Sequence, residues 1–388
     1  MSKQFWPLMS NIISIKDKFN LIKFILSTNF FTSGKKVEEF ERRWSKWVGA
    51  KHSLFVSSGS TANFLLLAAV IEKYGLKKGD KVLVPACTWM TNVAPVFQLG
   101  LTPIFCDVNF KNFSFDEDDL VKIKKKHSDI KVIFVTHLLG FPANNELYKE
   151  LFPNAIIIDD VCESHGVLSL DNNRIGANTT GATFSFYFGH HMTTIEGGMV
   201  STNDSELYDL MKMKRSHGLA RNSINFDAHA KAHPHIEKSF LFITDGYNFR
   251  NTEFGAVLGM SQLESLDDSI FIRRRNFSRF TRIINKHSDK FYPVDNNPRN
   301  SNFSFPMIAR NKETYEKLKI ALKEANIEYR PIVGGNLLRQ PFLKDYKFAL
   351  KKKSYNADIL NDYGVYVGNN QKVTDKQIDA LETILNRL

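Results

Sequence analysis

Residues 155–160 read AIIIDD, three consecutive β-branched apolar residues closing on two carboxylates, Asp159 and Asp160. A run apolar on both faces suits a parallel strand covered by helices on each side. Four more such runs surround it: LFVSSG (54–59), KVLVPA (81–86), PIFCDV (103–108) and KVIFVTH (131–137). Helical patterns alternate with them. STANFLLLAAVIEKYG follows the first run, and DEDDLVKIKKKH and NNELYKELF follow later ones. This β-α-β rhythm predicts an α/β doubly wound domain, with ligands beyond the carboxyl ends of the strands. After residue 267 the pattern changes to a basic helix, two strands (FSFPMIA and IEYRPIV) and a last helix. We expect a large domain over 1–265, including the N-terminal segment, and a smaller α/β domain over 266–388.

Bulk properties exclude several classes. The 388 residues are 43% hydrophobic and carry a net charge of +11. The longest apolar runs are too short to span a bilayer, and the first residues do not read as a signal peptide. Three scattered cysteines, Cys87, Cys106 and Cys162, lack metal or disulfide spacing and point to the reducing cytoplasm. The basic balance favours anionic partners. No zinc-finger spacing or aromatic-basic RNA motif accompanies it, so nucleic acid and membrane are not expected as partners.

Chemistry-bearing residues gather at predicted strand ends. Ser57-Ser58-Gly59-Ser60-Thr61 opens a helix, where free amides and hydroxyls suit a phosphate or simply cap the helix. Side chains alternate faces, so Asp159 and Asp160 should point opposite ways. Either carboxylate can orient a cationic group or cap the next helix. Trp89, after the second strand, can stack on a flat ligand or be an ordinary half-buried indole. Residues 184–198, FSFYFGHHMTTIEGG, read as a buried strand ending on His190 and His191. His229, His233 and His235 lie in the polar segment 219–240, without the helical spacing of a metal site; this segment reads as a mobile loop over a substrate.

Taken in order, SSGSTAN, VPACTW, IIIDDVCESHG, FSFYFGHHMTTIEGG, KRSHGLARN and GYNFRNTEFGA resemble the sugar aminotransferases of the pyridoxal-phosphate type I fold. That resemblance implies a large domain with a mostly parallel seven-stranded sheet. In those enzymes a lysine before the Glu-Gly-Gly signature holds the cofactor covalently. Here the aligned position is His190, and no lysine lies between Arg174 and Lys212. The His-His pair and the IEYRPIVGGN pattern (327–336) are similar to the 3-dehydratase branch that makes dideoxysugars. A related dehydratase type carries an iron–sulfur cluster on four cysteines, which three scattered cysteines do not supply.

The resemblance implies pyridoxal or pyridoxamine 5′-phosphate as cofactor, held without a covalent bond, and no metal. A histidine moves protons near neutrality but forms no stable imine. The implied reaction removes the C3 hydroxyl of a 4-keto-6-deoxy nucleotide sugar, expected to be GDP-linked, with glutamate as amino donor. The alternatives are a 4-aminotransferase or a non-catalytic nucleotide-sugar-binding relative. By the same resemblance, His190 moves the proton. Asp160 pairs with the ring nitrogen and Trp89 stacks on the ring. Gly59, Ser60 and Ser185 bind the phosphate, joined by Asn248 from the neighbouring subunit of a homodimer with shared active sites. Glu163 sits near the cofactor. His217 either touches the sugar or only stabilises a helix end. Arg250 and Arg330 either meet anionic substrate groups or form surface ion pairs. Strand alternation does not choose between His190 and His191; the alignment chooses the first.

Overall fold

The computed structural model describes residues 4–176, 178–344, 346 and 355–388. Seven strands form the main sheet: β1 (His52–Val56), β2 (Lys81–Pro85), β3 (Thr102–Cys106), β4 (Ile130–Thr136), β5 (Ile156–Asp160), β6 (Gly181–Ser185) and β7 (Gly198–Thr202). Their order is β1-β7-β6-β5-β4-β2-β3. Every pairing from β3 through β6 is parallel, while β7 runs antiparallel to both β6 and β1. The five runs quoted above all form strands of this sheet, as continuous apolar character requires.

The helix Gly59–Tyr74 starts with a capping box, in which Ser58 and Thr61 bond each other's amides, and ends at Gly75 in the left-handed region (φ 63°). Its first turn lies beside the carboxyl end of β6. A second sheet holds β8 (Ser304–Ile308), β9 (Tyr329–Pro331) and β10 (Gly364–Gly368), all antiparallel in the order β8-β10-β9. The helix Leu266–Ile284 packs on it, with the Phe280 and Phe305 rings stacked 4.7 Å apart. One apolar core runs from Leu54 and Val84 under the first sheet to Phe305 and Leu381 under the second. The N-terminal segment is tied to the second sheet: the Trp6 indole donates to the Gly368 carbonyl at 3.0 Å, and Trp6 bridges to Ile327.

Three readings need correction. The aromatic run 184–188 leaves the ladder at Ser185, so the histidine pair sits in a turn after β6 and not on the strand. Segment 219–240, read as a loop, contains the helix Phe226–Ala232 and two short 3₁₀ turns. The strand GVYVG, β10, went unread, although it is the middle strand of the small sheet.

Candidate active site

β5 ends in two carboxylates that part as alternation requires. Asp159 turns to the far face, bonded by His137 Nε2 at 3.2 Å, Asn145 Nδ2 at 3.0 Å and Thr179 Oγ1 at 2.7 Å. Asp160 turns into a cavity of about 370 Å³. Asn63 and Asn92 donate to its Oδ2 at 2.7 and 2.8 Å, and the Cys162 amide donates to its Oδ1 at 2.9 Å. These donors fix the carboxylate's direction. The sequence reading missed Asn63 and Asn92, although each stands in a motif it quoted or beside one.

The Gly59–Tyr74 helix points its start at the same cavity. The Ser58 hydroxyl accepts from the Thr61 amide, and the Ser58 carbonyl accepts from Ala62. Among the described residues nothing accepts from the Gly59 and Ser60 amides, which suits an anion. A Cβ on residue 59 would stand 2.6 Å from the Ser185 Cβ, so only glycine lets the helix start approach β6 this closely. Trp89 lines the cavity with 55% of its surface exposed, an apolar face on which no ring is stacked among the described residues.

His190 and His191 separate. His190 lines the cavity, and its Nδ1 has no partner among the described residues. His191 is buried behind it, with Nε2 2.9 Å from the Ser301 carbonyl. The geometry therefore selects His190 as the histidine that a ligand can reach. Burial pushes its imidazole down to about 4, helped by the Arg273 guanidinium. Glu163, on the cavity wall three residues after β5, is pushed up to about 7 by burial. It accepts from the Leu139 amide at 2.9 Å, which opposes that rise, while Asp160 adds to it.

Arg330 on β9 also lines the cavity. Ser60 and Ser185 line it too, whereas three expected residues do not. His217, Asn248 and Arg250 form one exposed patch elsewhere: Ser216 bridges to Asn248, the His217 amide donates to the Tyr247 carbonyl at 2.7 Å, and Arg250 Nε donates to Asn248 Oδ1 at 3.0 Å. His229, His233 and His235 lie outside the cavity lining, and no cluster of three metal-ligating side chains occurs among the described residues. No described helix is long and apolar enough to cross a membrane.

A held carboxylate, an exposed indole face and an amide-lined helix start around one cavity fit a flat, phosphorylated heterocycle with a basic ring nitrogen. A neutral imidazole supplies a proton acceptor. No lysine is among the residues lining the cavity.

Comparisons with known proteins agree. The chain is 34% identical over 392 residues to the GDP-4-keto-6-deoxy-D-mannose 3-dehydratase of Yersinia pseudotuberculosis, covering 98% of each chain. It is 33% identical over 380 residues to the protein of that name from Escherichia coli O55:H7, covering 95% of this chain and 96% of that one. Among solved structures, the E. coli GDP-4-keto-6-deoxy-D-mannose-3-dehydratase with bound hydrated PLP superposes with a TM-score of 0.87 at 31% identity, covering 98% of this chain and 99% of that one. A GDP-4-keto-6-deoxymannose-3-dehydratase mutant with bound GDP-perosamine gives 0.88 at 31%, covering 98% and 100%. The DegT/DnrJ/EryC1/StrS aminotransferase family matches residues 13–385, and the chain belongs to that family.

Proposed function

We propose that this protein is a pyridoxamine-phosphate-dependent 3-dehydratase that removes the C3 hydroxyl of a GDP-linked 4-keto-6-deoxy sugar. The observation that carries this reading is a cavity with a neutral histidine on its wall and no lysine. The relatives of 33–34% identity, both named for that reaction, support it.

When bound, pyridoxamine phosphate supplies an amine that condenses with a ketone and a conjugated ring that accepts the electron pair. The chain's residues do the rest. Asp160, held by Asn63 and Asn92, faces the ring nitrogen and keeps its proton in place. Gly59, Ser60 and Ser185 bind the phosphate, and Trp89 covers the ring. His190, neutral at physiological pH, takes the proton from the cofactor's C4′ carbon. Glu163 can carry a proton at neutral pH and assists at the leaving hydroxyl. Arg330 binds an anionic or hydroxyl group of the sugar nucleotide. The exposed patch of His217, Asn248 and Arg250 reaches the cavity of a second copy, so that the partner's Asn248 completes the phosphate site. This makes the working form a homodimer. Glutamate restores the amine, the chain divides near residue 265, and the protein works in the cytoplasm.

The test incubates the protein with GDP-4-keto-6-deoxymannose, pyridoxal phosphate and glutamate, followed by mass spectrometry. The expected product has lost the C3 oxygen and gained no nitrogen, with 2-oxoglutarate and ammonia formed. A 4-amino sugar that keeps its 3-hydroxyl would replace this reading with an aminotransferase.

A further inference from the structure

Behind His190 lies a cluster that the proposed chemistry leaves unused. Arg273, from the helix Leu266–Ile284, is 1% exposed. Its guanidinium donates to the carbonyls of Asn369 and, at 3.3 Å, His190, and to Gln371 Oε1 at 3.5 Å. No carboxylate pairs with it among the described residues, and its Nε has no partner. A buried cation without a counter-ion is costly to keep, and burial pushes even this guanidinium down to about 9. Three imidazoles stand around it. His165 and His191 are buried, with ring centroids 5.2 Å apart, and His165 lies 6.2 Å from His190. The Nδ1 atoms of His190 and His191 lack partners among the described residues.

We propose that Arg273 is the positioning residue for His190: it clasps the His190 carbonyl to the Asn369–Gln371 turn and stands beside the ring as an unbalanced buried cation. The clasp fixes where the imidazole enters the cavity, across the boundary between the two sheets. The uncompensated charge makes a second positive charge on the ring unfavourable, so the imidazole stays a proton acceptor. Arg273 itself is not among the residues lining the cavity. The titratable neighbours are His165 and Glu163 after β5, His191 and Tyr187 on the ring's own turn, Arg330 on β9 and Tyr366 on β10. Asp160 and Glu196 complete the charged lining. The Arg273 guanidinium adds to burial in holding the His190 ring neutral. The inference rests on His190 being the proton-moving group.

The experiment follows the His190 imidazole by NMR titration of the full-length protein, with its resonance assigned by its loss in His190→Asn. Arg273→Gln removes the charge. Gln371→Glu leaves Arg273 in place and gives it the carboxylate it lacks. We expect both to raise the His190 midpoint by about one pKa unit, a tenfold gain in proton affinity. Arg273→Lys, which keeps the charge but loses the fork, leaves the midpoint within about 0.3 unit and lowers the rate of dehydration. An unchanged midpoint in folded Gln371→Glu overturns the inference, and that variant decides alone if Arg273→Gln does not fold. The titration needs no turnover. A protein that fails to dehydrate the sugar but shows the shift defeats the functional reading and leaves the role of Arg273 standing.

Discussion

On one wall of the cavity Asp160 accepts three hydrogen bonds, from two asparagines and a backbone amide. On another, His190 keeps its Nδ1 without a partner and backs onto two more imidazoles and a lone guanidinium. The first group is prepared by surrounding it with donors, which fix its direction. The second is prepared by withholding them, which with burial keeps the ring neutral. One cavity can hold a donor-surrounded carboxylate and a neutral imidazole because each is built from different neighbours, and substitutions can test each separately.

The largest effect is expected at the base. His190→Asn should lower dehydration about 10³-fold, as removal of a positioned acid–base group does, while cofactor absorbance is retained. A rate within a factor of ten of the unmodified protein would move the proton-transfer role elsewhere. At the anchor, Asp160→Ala leaves the Asn63 and Asn92 amides aimed at a void and should weaken cofactor retention by about 2–3 kcal/mol, read as loss of visible absorbance on gel filtration.

Glu163 sharpens the contrast through pH. Its folded-state value is raised from 4.5 to about 7, so its favourable contribution is fully present below pH 4.5 and is lost as pH rises through 7. Allowing for solvent in the open cavity, that loss is about 1–2 kcal/mol. Thermal melts of ligand-free protein at pH 5 and 8 should therefore fall further for the native chain than for Glu163→Gln, and equal falls would place the group outside the buried wall. Gly59→Ala drives a methyl against Ser185 and should cost about 1–2 kcal/mol, a lowering of the melting temperature by a few degrees with weaker phosphate binding. The smallest change is expected from Trp89→Ala, about 1 kcal/mol in cofactor affinity by equilibrium titration.

The fold was largely readable because its central strands are apolar on both faces, a signal that survives without alignment. β10 escaped because GVYVG is five residues long and bounded by glycines, the pattern of a turn as much as of a strand. The end of β6 was placed too late because Phe186 stays fully buried after the backbone leaves the ladder, so side-chain character did not change where hydrogen bonding did. The opposite directions of Asp159 and Asp160 followed from alternation alone. Which histidine faces the cavity did not, because a turn has no such period. Arg273 was invisible for a similar reason. It stands in Arg273-Arg274-Arg275, and a run of basic residues reads as a solvated face until the helix is rotated against its neighbours. His217, Asn248 and Arg250 are gathered by the fold on a surface outside the cavity lining, a placement that no local sequence pattern encodes.

The tie between Trp6 and the small sheet has a bearing on how the molecule comes into being. Leu8 and Met9 line the cavity, and the carbonyl of Leu8 lies so close to Gly368 that a Cβ there would stand 2.0 Å from it. Residues near one end of the chain are seated by residues more than 300 positions later. On a ribosome the wall they form cannot close until the Gly368 region has left the exit tunnel. From the emergence of Thr202, where β7 ends, until that of Gly368, the nascent chain can pair all seven strands of the main sheet while the cavity still lacks this wall.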